Sequence, residues 1–240
     1  MSYYLVLSAL VVGITLTIPA QASIVLDNTR VVYEEKDREV TVKLNNSGSH
    51  PVVVQSWLDD GDVKKDPGLI KTPFMLMPPM TRVDPGKGQT LRLMYIGESL
   101  PNDHESLYYL NILEIPPKFS ETEDSAYLQV ALRTRIKVFY RPAKLESSVS
   151  DASNNLSWSV VQNGTSWSLQ CSNPSPYYIS MSEVSLIVSG RTIQVGDGMV
   201  SPRSKLNLAL ERQPAADAQV KVISIDDFGA SRERTSLLNR

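Results

Sequence analysis

Residues that carry catalytic chemistry are scarce in this chain and are badly placed for it. The 240 residues include two histidines and one cysteine. His50 lies in a Ser-Gly-Ser-His-Pro turn, and His104 lies in Pro101-Asn102-Asp103-His104-Glu105. A zinc site needs clustered His, Cys and carboxylate ligands, and neither a His-x-x-x-His pair nor a second Cys is present to begin one. Asp103 and His104 are neighbours in sequence, which does not make a triad with a nucleophile. No Gly-rich loop follows a strand to cradle phosphate. The residues therefore predict a protein that is not an enzyme and that uses no cofactor and no metal. A net charge of −2 also argues against nucleic acid as the partner. What remains is binding chemistry, carried by local charges and by rows of apolar side chains.

The most telling row is in Leu128-Gln129-Val130-Ala131-Leu132-Arg133. Leu128, Val130 and Leu132 alternate with polar or small residues, the period of a strand with one apolar face. The basic run Thr134-Arg135-Ile136-Lys137 and the bulky Val138-Phe139-Tyr140 follow, and Arg141-Pro142 closes the strand because proline cannot continue a central ladder. An edge strand with gatekeeper charges would account for the alternation alone.

The elements around it read as strand after strand. Val40, Val42 and Leu44 share one face of Glu39 to Leu44, and Asn45 to Ser49 has turn chemistry. Pro51 to Leu58 is a further strand. Phe74 to Met80 is apolar but broken by Pro78-Pro79, and Thr90 to Ile96 is a strand again. After Arg141-Pro142-Ala143-Lys144, which reads as a linker, the pattern restarts. Asn163-Gly164 predicts a type I′ hairpin that sets Val160 opposite Trp167 and Trp158 opposite Leu169. Later strands run from Glu183 to Val188, Leu206 to Leu210 and Gln219 to Ile225. No amphipathic helix of useful length is evident. The length suits two sandwiches of about 100 residues each. Cys171 lies in an alternating run and reads as buried, and a single Cys forbids an internal disulfide.

Leu5 to Ile18 is almost wholly apolar and Ala20-Gln21-Ala22 fits a small-x-small cleavage site, so residues 1–22 read as an export signal. The run is short for a spanning helix and no basic stop-transfer cluster follows, which predicts no membrane insertion.

Glu105-Ser106-Leu107-Tyr108-Tyr109-Leu110-Asn111-Ile112-Leu113-Glu114-Ile115-Pro116-Pro117, followed by Arg135-Ile136-Lys137-Val138-Phe139-Tyr140-Arg141-Pro142, resembles the signature of the periplasmic chaperones of the chaperone–usher pilus pathway, the PapD-like family. Asn173-Pro174-Ser175-Pro176-Tyr177-Tyr178 and Asp226-Asp227-Phe228-Gly229 resemble segments of that family's second domain. The resemblance implies an all-β chain of two immunoglobulin-like sandwiches, residues 23–143 and 144–240, joined at an angle around a cleft. It implies periplasmic location and a chaperone that binds pilus or fimbrial subunits and hands them to an outer-membrane usher. Its means would be donor-strand complementation, in which an edge strand fills the groove of an incomplete sandwich. Leu128, Val130 and Leu132 would enter that groove, each contributing about 1.5–3 kcal/mol when fully buried. Arg30 and Lys137 would bind the subunit's C-terminal carboxylate. Glu105, Arg141 and Asp227 would form a charge network fixing the domains. The free protein would hide its apolar row by pairing as a homodimer. The ten residues Lys118 to Tyr127 resemble the short connection of the chaperones that serve rod-like pili.

A surface or adhesive structural protein is the alternative. Pilin subunits are single incomplete sandwiches, commonly with a disulfide, and two domain patterns with one Cys speak against that reading. One difficulty is visible in the numbering. Lys137 is odd and Leu132 even, so either a bulge lies between them or the two use opposite faces of one strand.

Overall fold

Alternation decides which side of each strand is buried, and burial of those sides builds two sandwiches. The computed structural model describes residues 23–117, 130–145, 147–215 and 217–239. The expected export signal, the Lys118 to Tyr127 connection and Leu128 lie outside them.

The first sandwich stacks two sheets. One has the order β1 (Ile24–Leu26), β3 (Val40–Asn46), β7 (Gly88–Tyr95), β5 (Phe74–Met77). The other has the order β2 (Arg30–Glu34), β9 (Leu132–Arg141), β8 (Ser106–Ile115), β4 (Val52–Asp59), β6 (Met80–Val83). Val42 and Leu44 of β3 and Leu91 and Leu93 of β7 meet Val54, Leu110, Ile112 and Val138 across the interface. Pro78-Pro79 falls between β5 and β6, and there the chain leaves one sheet for the other. A proline pair supplies no ladder donors, so the crossing costs the sheets nothing they could have used.

The second sandwich pairs β10 (Ser157–Asn163), β11 (Ser166–Asn173) and β14 (Ser204–Leu210) against β13 (Arg191–Val200), β12 (Ile179–Val188), β15 (Gln219–Ile225) and β16 (Ser231–Leu237). Trp158, Leu169, Cys171, Val184 and Val220 form its centre. The Cys171 thiol has no exposed surface, and burial pushes it up to about 12. A short helix, α1 (Val149–Asn154), opens this half, with Ser148 accepting from the Asp151 amide as its cap.

The predicted hairpin register is wrong by one turn position. Trp158 faces Cys171 and Val160 faces Leu169, because Asn163 pairs with Ser166 and the two central residues are Gly164 and Thr165. Gly164 has φ +61° and Thr165 is not among the positive-φ residues, the signature of a type II′ turn. The slip moves each partner by two residues, so every side chain keeps its predicted face.

Candidate partner-binding site

Strand β9 is the centre of the site, and its two halves live in different surroundings. Over Lys137–Arg141 it lies between β8 and β2, which pairs with it in parallel from Arg30↔Lys137 to Glu34↔Arg141. Over Leu132–Ile136, among the described residues, it has β8 on one side only. The sequence reading of an edge strand therefore holds for half of it. Pairing with β8 is continuous from Glu114↔Leu132 to Ser106↔Tyr140, with no bulge. The parity difficulty resolves in favour of opposite faces. Ile136, Val138 and Tyr140 point into the sandwich, and Leu132 shares their side. Beyond the end of the core, Leu132 is 42% exposed and Val130 58%. An apolar row thus continues out of the protein's own core into solvent.

The opposite face looks toward the second sandwich. Arg30 and Lys137 stand side by side on neighbouring strands. Arg30 is 7% exposed; its Nη1 donates to the Ile225 carbonyl at 2.9 Å, and its buried Nε has no partner among the described residues. Lys137 Nζ donates to Ser180 Oγ at 3.0 Å. No local pattern announces these two partners, which come from the other domain. Among the described residues, no carboxylate pairs with either cation within 4.0 Å. Burial lowers the Arg30 pKa against the pull of Asp227 and Asp226, and burial followed by repulsion from Arg30 lowers that of Lys137. Two adjacent, partly desolvated cations without an anion suit one carboxylate, to which the guanidinium can present two parallel donors.

Glu105, Arg141 and Asp227 come together between the sandwiches. Arg141 Nε donates to Glu105 Oε1 at 2.8 Å, and its Nη1 and Nη2 donate to the two Asp227 oxygens at 2.9 and 3.0 Å. Glu105, 1% exposed, also accepts from the Tyr178 amide at 2.9 Å. Burial raises the Glu105 carboxyl, with Arg141 and the Tyr178 amide pulling it back. Asp226, the neighbour of Asp227 in sequence, does something else: it accepts from the Phe228 and Ala230 amides and from Arg232 Nε, and so shapes the turn. A further contact between the domains has no signal in the sequence. Arg203 donates to the Asp103 carboxylate and carbonyl, and its own amide donates to the Ser175 carbonyl. Arg203 is a non-glycine residue at φ +49°, which no pattern announces.

Gly229 brings the turn against the first sandwich. Its φ is +83°, and a Cβ there would stand 2.6 Å from Thr29 Oγ1, one residue from Arg30. Gly229→Ala is expected to cost roughly 1–3 kcal/mol, partly from backbone strain and partly from the push on Thr29. Thermal unfolding of Gly229→Ala alone and combined with Thr29→Ala checks this. The double variant regains the contact share, and identical midpoints would assign the whole cost to the backbone.

The chain matches known proteins over both sandwiches. Residues 23–146 match the family described as pili and flagellar-assembly chaperone, PapD N-terminal domain. Residues 151–236 match the family described as pili assembly chaperone PapD, C-terminal domain. The probable fimbrial chaperone YadV of Escherichia coli K12 is 40% identical over 222 residues, 90% of each chain. The chaperone protein FimB/FhaD of Bordetella pertussis is 39% identical, covering 88% of this chain and 86% of that one. Among solved structures, the Pseudomonas aeruginosa CupB2 chaperone has a TM-score of 0.78 at 37% identity, covering 90% of this chain and all of that one. The Salmonella enterica SafB chaperone, solved with the SafA pilin, has a TM-score of 0.75 at 27% identity, covering 92% and 98%.

Proposed function

The chain belongs to the PapD family of pilus-assembly chaperones, and from that premise we propose that it receives pilus subunits on the free half of β9. One observation carries the reading: the unpaired edge of Leu132–Ile136 runs directly up to the Arg30↔Lys137 pair. An incoming strand that ladders onto this edge parallel to β9 lies in line with β2 and ends with its carboxylate at those two cations. Antiparallel, it would present an ammonium to them. Meanwhile Leu128, Val130 and Leu132 enter the subunit's groove from the other side of the strand. Since Leu132 shares its side with Ile136 and Val138, the groove and the protein's own core become one apolar layer across Thr134. Main-chain bonds give an affinity that tolerates many sequences.

The protein works in the periplasm, after removal of residues 1–22, and passes its cargo to an outer-membrane usher. Glu105, Arg141 and Asp227 set the angle at which the second domain faces the docked subunit. Free protein covers its exposed row with a second copy, which sedimentation of the purified protein at rising concentration reveals as a monomer–dimer equilibrium.

Lys137→Met keeps the apolar stem and removes the charge, and Arg30→Ala removes the fork. Each leaves the carboxylate half-paired, at a cost of about 2–5 kcal/mol of subunit binding if the pair is desolvated. Both variants are expected to reach the periplasm and to lose the subunit that co-purifies with the wild type. Co-purification at wild-type levels in both would remove the anchor from this reading.

A further inference from the structure

Most of the half of β9 from Leu132 to Ile136 lies beyond the core. On its inner side Leu132 and Thr134 are exposed and Ile136 alone is buried, and among the described residues only the β8 ladder pairs with its backbone. Its outer side carries Arg133 and Arg135, which donor-strand docking leaves without a task. The structure gives them one.

Arg135 and Asp59 form a forked pair across β8: Nε donates to Asp59 Oδ2 at 2.9 Å and Nη2 to Oδ1. Asp59 has no exposed surface and also accepts from Asn111 Nδ2 at 2.7 Å and the Gly61 amide at 2.8 Å. Arg133 sends Nε and Nη2 to Asn111 Oδ1 at 2.9 and 2.7 Å and Nη1 to the Val63 carbonyl at 3.0 Å. The Arg135 guanidinium lies 3.5 Å from the Tyr109 ring centroid, and that of Arg133 5.0 Å from Trp57. Both side chains lean the same way. Arg133 stands level with Leu113 and Arg135 with Asn111, yet each reaches two residues further toward the Lys137 end. The result is a diagonal brace over β9, β8 and β4. Burial pushes the Asp59 carboxyl up, but the bonds from Arg135, Asn111 and Gly61 hold it below its ordinary value, so it stays an anion for the brace.

We propose that Arg133 and Arg135 are positioning residues which, through Asn111 and Asp59, keep the unpaired half of β9 extended and in register while no subunit is bound. This rests on β9 being the docking edge. An edge already straight loses less entropy on pairing than one that must first order itself.

Hydrogen exchange of the free protein tests the brace without any subunit. In Arg135→Gln, and in Arg133→Gln should the former not accumulate, those amides of Leu132–Ile136 that bond to β8 are expected to exchange at least about tenfold faster, while those of β3 and β15 keep their wild-type rates. Arg135→Lys restores charge but not the fork and is expected to fall between. Capture of the co-purifying subunit should drop at least about tenfold in the same variants. An unchanged rate at Leu132–Ile136, a rise shared equally with β3, or a local rise with undiminished capture would each overturn the proposal. The docking reading stands or falls separately, on Lys137→Met with normal exchange.

Discussion

Val130→Asp abolishes subunit capture and leaves the free protein's melting midpoint within a few degrees of wild type. The side chain is 58% exposed and lies outside the core, where substitutions usually shift stability by less than about 0.5 kcal/mol. In the complex the same carboxylate is driven into an apolar groove with no counter-charge, which costs several kcal/mol. At position 132 the better probe is Leu132→Asn. Leu132 pairs with Glu114, whose carboxylate already accepts from Ser23 Oγ and the Ile24 amide, so an Asp there would add like-charge repulsion to the free protein. Melting curves and co-purification of the two variants are read together. A collapsed midpoint, or full capture by Val130→Asp, would show that the row belongs to the protein's own fold.

Arg141→Ala is expected to lower the stability of the protein strongly. It strands a buried Glu105 and an Asp227 that Arg141 held with both nitrogens. Breaking such a pair costs about 3–5 kcal/mol. At roughly 2–4 °C per kcal/mol for a chain of this size, the midpoint falls by about 6–20 °C. The loss depends on pH with a definite sign. Burial already raises Glu105 above its ordinary value, and removing the guanidinium raises it further. A carboxyl raised in the folded state binds its proton more tightly folded than unfolded. The penalty is therefore full above the folded pKa and fades as pH falls toward the unfolded value of about 4.3. The gap between variant and wild type should narrow from pH 7 toward pH 5. A gap that widens on acidification would mean that Glu105 is not the group left unpaired.

Much of this was legible in the residues, because period-two alternation fixes which side of a strand is buried whatever lies next to it. Val42, Leu44, Trp158 and Leu169 fell on the faces that alternation assigned. Register was not legible. Asn163-Gly164 and Gly164-Thr165 both make acceptable hairpin centres, and only the pairing distinguishes I′ from II′. Strands β13 and β16 escaped notice for another reason. In β13, Gly196, Asp197 and Gly198 interrupt the alternation of Ile193, Val195 and Met199 where Leu208 and Leu206 of β14 come close, and β16 is polar from Ser231 to Ser236 and ends in a single Leu237. The Asp59 brace is the deepest omission. Asp59 reads as the first residue of an Asp-Asp-Gly-Asp turn, and Arg133 and Arg135 read as gatekeepers. Their meeting depends on the order β9, β8, β4, which no local pattern contains.

The parallel strand β2 does more than cover half of β9. A β-ladder alone is a poor ruler, since sliding by two residues restores every bond and every face. Here, among the described residues, the open edge of β9 is a berth of five residues, about 17 Å long, closed at one end by the chain's own strand. In the proposed docking, a visiting strand slipped by two residues would either strike Arg30 or stop about 7 Å short of it. Alignment is thus set by where the visitor ends and not by what it is made of. One berth can then serve subunits of different sequence while holding each to a single alignment.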